Sequence, residues 1–258
     1  MKPALSTSSR VVQVAYVLGM RDIKRTYQYS KLGFFRLFLN TLLSLVIIVP
    51  IFATIQEREI TEFLAYVASG LLIWSFISDS INDAAGAYIT SIRIIRQIAI
   101  PRITFVLQGI VRNTFMMLLS LSSFPIIALI AGLTPTLNLL FLPFGLVITV
   151  ICVLNFGIVV ATLSARYRDI PAVVAALMRV LFFLSPIIWV TERIDGEIAH
   201  LILGLNPFYH LLQIVRLPLL GEMPTSVNWA LSLFAMLAST AIAYVMYRKF
   251  DDKIAYWV

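Results

Sequence analysis

The sequence predicts an all-α polytopic membrane protein with six transmembrane helices. An amphipathic interface helix is expected at the N-terminus, and short external re-entrant helices between spans 5 and 6. Three observations predict this. First, 60% of the 258 residues are hydrophobic and only 13% are charged, too few charges to disperse a soluble fold of that size. Second, no Asp, Glu, Lys or Arg lies between Asn113 and Ala165; a bilayer hides such a run, since a spanning helix needs about 20 apolar residues. Third, the basic residues are segregated. Of the 20 Lys and Arg, only Arg58, Arg193 and Arg216 fall on one side of the expected spans. The other side takes the rest and is cytoplasmic by the positive-inside rule, with both termini there.

The elements follow in order. Residues 1–33 form a cytoplasmic interface helix. Val12, Tyr16, Gly19, Ile23 and Tyr27 recur at helical spacing, Arg21, Lys24 and Arg25 take other faces, and Ser8 or Ser9 caps the start. No apolar run precedes a small-residue cleavage site in the first 35 residues, so no cleaved leader is expected. Spans 1 to 5 occupy 34–190. The first covers Leu37 to Ile55, with Pro50 tolerated where neighbouring helices satisfy the backbone. The second runs from Phe63 through Trp74 and then turns polar at Ser78, Asp79, Ser80, Asn82 and Asp83. A basic loop around Pro101 carries Arg93, Arg96 and Arg102. The third span is Asn113 to Ala131, ended by Gly132, Thr134 and Pro135, and the fourth is Leu137 to Leu163. The fifth, Ala172 to Val190, is interrupted at Ser185-Pro186. Residues 191–226 read as two short external helices meeting at Asn206-Pro207, because proline suits a first helical position. Span 6 is 227–247, and 248–258 is a cytoplasmic tail. The whole chain, 1–258, is one transmembrane domain.

Little in the chain suggests bond-making chemistry. It has no G-x-x-x-x-G-K-[ST], no G-x-S-x-G and no Cys/His cluster, so no metal and no cofactor of its own is expected. Cys152 is alone in an apolar run. The basic residues are not interleaved with aromatics, which argues against nucleic acid. No acid sits near an expected midplane, which argues against an ion-driven secondary transporter. Asp79 and Asp83 stand one helical turn apart, either as an ion or substrate site or as a solvated inner end paired with loop arginines. Arg179 lies inside the fifth apolar segment. It either snorkels to the interface or faces the bundle interior toward an anionic substrate group. Phe34, Phe38, Trp74, Phe182, Phe183 and Trp189 either pack between helices or line a passage, since flat apolar rings suit the apolar faces of sugars. His200 and His210 are ordinary interfacial side chains or, less simply, a general base.

Several short motifs recur in a fixed order. They are Arg21-Asp22-Ile23-Lys24 followed by Tyr27, Ser30, Leu32 and Gly33; Ile94 through Arg102; Arg166-Tyr167-Arg168-Asp169-Ile170; Phe183-Leu184-Ser185-Pro186-Ile187; Leu205-Asn206-Pro207-Phe208-Tyr209; and Ile254-Ala255-Tyr256-Trp257-Val258. In this order the chain resembles, over essentially its whole length, the permease subunit of type-2 ABC exporters of O-antigen and capsular polysaccharide. The resemblance implies a homodimer in the bacterial inner membrane, served by two separate ABC ATP-binding subunits that hold ATP and Mg. It implies a lipid-linked polysaccharide as substrate and membrane lipid as a further partner. It implies coupling to the ATPase through Arg93, Arg96 and Pro101 and through Arg166, Arg168 and Asp169. It also implies an external gate built on Asn206, Pro207, Tyr209, His210 and Arg216. The alternatives are an ABC export permease for a teichoic-type polymer, a lipid or a drug, and an integral membrane enzyme acting on lipid-linked sugars.

Overall fold

The computed structural model describes residues 7–27, 35–97, 100–191, 201 and 203–257. Among them the chain forms helices and no strand. The helices are α1 (Thr7–Tyr27), α2 (Phe35–Ile55), α3 (Ile60–Thr90), α4 (Ile92–Gln97), α5 (Ile103–Leu121), α6 (Phe124–Ile130), α7 (Leu142–Arg166), α8 (Ile170–Leu184), α9 (Pro207–Leu219) and α10 (Ser226–Trp257). A 3-10 turn, Leu137–Phe141, leads into α7.

Four helical stretches are long and apolar enough to cross a membrane: Ile60–Thr90, Ile103–Ile130, Leu137–Arg166 and Ser226–Ile254. Thr41–Ile55 and Ile170–Leu184 are apolar but shorter. The second stretch joins α5 to α6 across a break. There the Ser122 and Ser123 hydroxyls each donate 2.6 Å bonds to the carbonyls of Leu119 and Ser120, and Pro125 has no N–H to continue the ladder.

Helix α3 is the hub and packs against α2, α5, α6, α7, α8 and α9. It approaches them closely because much of its buried surface is small: Ala65, Ala68, Ser69, Gly70, Ala84 and Ala85. Between apolar helices in lipid, close van der Waals packing of small residues replaces the hydrophobic effect as the source of association. Helix α7 follows the same rule at its contact with α9. A Cβ built on Gly145 meets the Ile214 carbonyl oxygen at 2.5 Å. The outer faces stay apolar and open: Val46 and Ile47 on α2, Val173 and Val180 on α8, and Phe234 and Leu237 on α10 are all at least half exposed. A soluble monomer does not display surfaces of this kind.

Three elements differ from the sequence reading. Helix α3 does not end where the sequence turns polar; it runs unbroken through Ser78 to Asp83 and on to Thr90, with Asp83 bonded to Arg112 and Asn113 on α5 and Asn82 bonded back to Ser78 on its own helix. The expected tail 248–258 is the end of a single 32-residue helix as far as Trp257. The apolar stripe of α1 divides. Ala15, Gly19 and Ile23 are buried against α5, while Val12 and Tyr16 point away from it.

Gly145→Val should lower the thermal midpoint of the detergent-purified protein by several degrees, since overpacking costs about 1–3 kcal/mol. Gly204→Ala, where an added Cβ meets nothing within 4 Å, should leave it unchanged. Equal midpoints for the two variants would mean that α7 and α9 do not depend on that close approach.

Candidate gate and coupling surfaces

Helix α9 is fixed at both ends. Asn206 caps it: its Oδ1 accepts from the Phe208 N–H at 3.0 Å, and its Nδ2 donates to the Ser185 hydroxyl at 3.1 Å. His210, 3% exposed, has Nε2 at 3.0 Å from the Gly204 carbonyl and Nδ1 at 3.0 Å from the Asn228 side chain. A neutral imidazole satisfies both if Nε2 donates and Asn228 presents its NH2 group to Nδ1.

At the other end Arg216 is fully buried. It donates from Nη1 to the Pro186 carbonyl at 2.6 Å, and its guanidinium lies 4.0 Å from the centre of the Tyr66 ring. Gly70 on α3 makes room: a Cβ there would sit 3.2 Å from Arg216 Cζ and 3.3 Å from Ile187. Among the described residues no carboxylate pairs with this cation, and its Nε and Nη2 have no acceptor. Its position in the last turn of α9 places it against the negative end of that helix's dipole.

The segment between α8 and α9 explains why the arginine is there. Ser185, Ile187, Ile188 and Val190 are buried without being helical, so their backbone groups need partners. Side chains supply them. Gln56 Nε2 donates to the Ile188 carbonyl at 3.0 Å, and its Oε1 accepts from the Val190 N–H at 2.8 Å. The Tyr66 hydroxyl lies 3.1 Å from the carbonyls of both Pro186 and Trp189 and shares its proton between them. Beneath this segment Trp74 meets Phe182 and Phe208 edge-on, each at 6.1 Å between ring centres, and Phe208 meets Phe156 at 5.5 Å.

A second polar cluster joins α1, α3 and α5. Asp83 accepts from Arg112 and, at 2.8 Å, from Asn113 Nδ2. Gln108 donates to Asp22 at 2.6 Å, and Arg112 lies 3.9 Å from the same acid. One turn before Asp83 on α3, Asp79 lines a cavity of about 170 Å³ with Thr41, Ser75, Asn113 and Ser120.

Two short exposed basic segments lie at the ends of other helices. Helix α4 presents Arg93 and Arg96, and the turn between α7 and α8 presents Arg166, Arg168 and Asp169. Arg102, after Pro101, pairs with Asp251 of α10 at 3.0 Å. The Arg166 guanidinium lies 5.4 Å from the Trp257 ring centre and 5.3 Å from that of Tyr167.

The sequence model of the ABC-2 type transporters matches residues 13–220. The chain belongs to this family. An O-antigen export system permease protein RfbA from Myxococcus xanthus is 27% identical over 196 residues, 76% of this chain and 75% of that protein. Two proteins of the same name from Klebsiella pneumoniae are 23% and 22% identical over 187 residues, each match covering 72% of either chain.

In this ABC-2 chain the matched region takes in the polar cluster, the aromatic stack and all of α9. The residues singled out from sequence separate on it. Trp74 and Phe182 are packed into the aromatic stack, Trp189 is half-buried and donates to the Phe183 carbonyl at 3.0 Å, and Phe183 itself is 65% exposed. Arg179 is exposed on the outer face of α8 with Phe183 and bonds its own helix at the Ala175 carbonyl, 3.3 Å away. Phe34 lies outside the described residues, as does the side chain of Phe38. Asn206, Pro207, Tyr209, His210 and Arg216 all belong to α9 or its cap. Sequence reasoning missed Gln56, Gly70, Asp251 and the pairing of Tyr66 with Arg216. Only the last turns of α10 carried a signal, in the helical spacing of Tyr247, Asp251 and Ile254.

Arg216→Ala should destabilise the purified permease by roughly 2–4 kcal/mol, because it leaves a void and weakens the hold on Pro186. Arg216→Met keeps the volume and should lose much less. Thermal midpoints in detergent make the comparison. A methionine variant as unstable as the alanine one would assign the stabilisation to the charge and not to packing.

Proposed function

We propose that this ABC-2 protein is the membrane-spanning subunit of an ATP-driven exporter that moves a lipid-linked polysaccharide of O-antigen or capsule type out of the cytoplasm. What carries the reading is the likeness, over about three quarters of the chain, to three proteins named O-antigen export permeases. In this reading α2 and α8 join the four long stretches to make six spans, and both termini face the cytoplasm of a bacterial inner membrane. Helix α9 and its approach form the external gate. Two copies enclose the passage.

Physical arguments support the arrangement. Arg179 sits about 14 Å along α8 from its start, on a face where no acid among the described residues pairs with it. A cation at that depth costs about 2.5–3.5 kcal/mol or more against lipid. A water-filled passage or a second copy relieves that cost. The exposed Phe183 ring on the same face offers a flat apolar surface to sugar rings. The chain has no phosphate-binding loop of its own, so energy enters from a separate ATP-binding subunit that holds ATP and Mg. The exposed Arg93 and Arg96, with Pro101 beyond them, and the exposed turn Arg166 to Asp169 are the surfaces on which it acts. ATP-driven closure of the two ATP-binding subunits moves these segments. The spans above them repack between two states and open the passage.

Reconstitution with a co-expressed ABC ATP-binding subunit tests this. Arg166→Glu with Arg168→Glu should leave hydrolysis measurable but reduce exported polymer at least about tenfold, a loss of roughly 1.4 kcal/mol in coupling. Export undiminished by the double reversal would remove that surface from the mechanism. Phe183→Ala should lower export without lowering the yield of folded permease. Phe182→Ala, which cuts into the aromatic stack, should lower the yield first. The opposite pattern would make Phe182 the passage residue and Phe183 a lipid-facing one.

A further inference from the structure

We propose that the last turns of α10 are a strut that braces the two basic coupling segments against each other, with Asp251 and Trp257 as its positioning residues. The role in coupling rests on the proposed function; the bracing itself does not.

The length of α10 is the first observation. Its 32 residues span about 48 Å at 1.5 Å per residue, against a hydrocarbon core of about 30 Å. About twelve residues therefore extend past the hydrocarbon core. Helix ends that project into water without partners fray, and a polar tail has no reason to hold helical shape. These turns are held. Ile254 is 1% exposed, Tyr247 and Trp257 pack against the buried core, and the rings of Phe250 and Trp257 lie 5.4 Å apart. Tyr247, Asp251, Ile254 and Trp257 follow one another at intervals of four, three and three residues, which places them along one side of the helix.

That side reaches both segments. At the first, Arg102 Nη1 and Asp251 Oδ2 are 3.0 Å apart, with both side chains less than a quarter exposed. The pair is better shielded from salt than an open surface pair. Arg102 directly follows Pro101 and precedes α5, so the bond fixes the exit of the loop that begins with α4, and α4 itself touches α10. At the second segment the Arg166 guanidinium lies over the Trp257 ring at 5.4 Å. Arg166 is the last residue of α7 and the first of the turn that carries Arg168 and Asp169. The two contacts lie six residues apart on one continuous helix, so a displacement of either segment is transmitted to the other. Without the brace, the segments hang from different helices, α3 to α5 on one side and α7 to α8 on the other, joined through the packing of the helix bodies, and each yields more independently. A motor pressing on both then loses work to their relative motion.

The test measures the brace and the coupling separately. Spin labels on Arg93→Cys and Asp169→Cys report the distance between the segments in the intact permease. The parent chain should give one narrow distribution. Asp251→Asn with Trp257→Ala should broaden it, and the conservative pair Asp251→Glu with Trp257→Tyr should restore it, which separates bracing from a general loss of fold. The charge swap Arg102→Asp with Asp251→Arg should likewise stay narrow. A distribution unchanged by Asp251→Asn with Trp257→Ala overturns the strut and leaves the proposed function untouched. In the unlabelled permease reconstituted with its ATP-binding subunit, polymer exported per ATP hydrolysed should fall about fivefold or more, the lower end of ordinary coupling between sites. Broadened distances with an unchanged export ratio uphold the brace and overturn the reading of these segments as the place where the motor acts.

Discussion

The fold depends on how one short non-helical stretch, Ser185 to Val190, meets its backbone hydrogen-bond needs while buried among apolar helices. A helix satisfies its own N–H and C=O groups. A stretch that leaves the helix must borrow partners, and in a chain this apolar water supplies few. Here the partners come from three separate elements: Gln56 after α2, Tyr66 on α3 and Arg216 on α9. Each reaches the stretch from a different side. The placement of α9 against α3 and α7 therefore follows from the break after α8 as much as from apolar packing.

The choice of an arginine for one of these partners has consequences. A planar guanidinium stacks on Tyr66 and still donates to Pro186, which an ammonium does less well. Among the described residues no carboxylate offsets the cost of its burial, and the helix dipole, the aromatic face and one carbonyl do so in part. Gly70 is part of the same solution, since any side chain there would occupy the guanidinium's place. A contact assembled from several weak supports can be shifted by a modest change in helix packing. That property suits a segment proposed to gate a passage.

Much of this was legible in the sequence, and the reasons for the rest are physical. The apolar runs and the break at Ser185-Pro186 were readable because length and proline act locally. The cap at Asn206-Pro207 was readable for the same reason. The length of α3 was not, because Asp79, Asn82 and Asp83 look like the end of a span until Arg112 and Asn113 are known to lie opposite. Val12 and Tyr16 share the helical spacing of Ile23, yet spacing alone does not say which neighbouring side of α1 meets α5. Trp74, Phe182 and Phe183 looked equivalent as aromatics in spans. Only packing separates the two that fill the stack from Phe183, which meets Phe182 edge-on at 5.3 Å and exposes its outer side.

Arg112, Arg179 and Arg216 sit within helices of the bundle, and each is dealt with differently. Arg112 has two acids within reach, one on α1 and one on α3, and so ties α1 to the bundle. Arg216 is enclosed by Tyr66, Gly70 and Pro186. Among the described residues Arg179 bonds a carbonyl of its own helix, on a face otherwise lined by Ala172, Ala176 and Phe183. The first two cases show that the protomer can shelter a cation where the fold needs one. A third left outward on α8, with no acid paired to it among the described residues, fits the proposed passage, since an uncharged lipid tail cannot stabilise it. Water, an anionic group or a second copy can. A passage between two such faces would offer all three, and this favours a dimer axis along α8 over one along the spanning turns of α10, whose outer side exposes Phe234, Leu237, Ile242 and Val245.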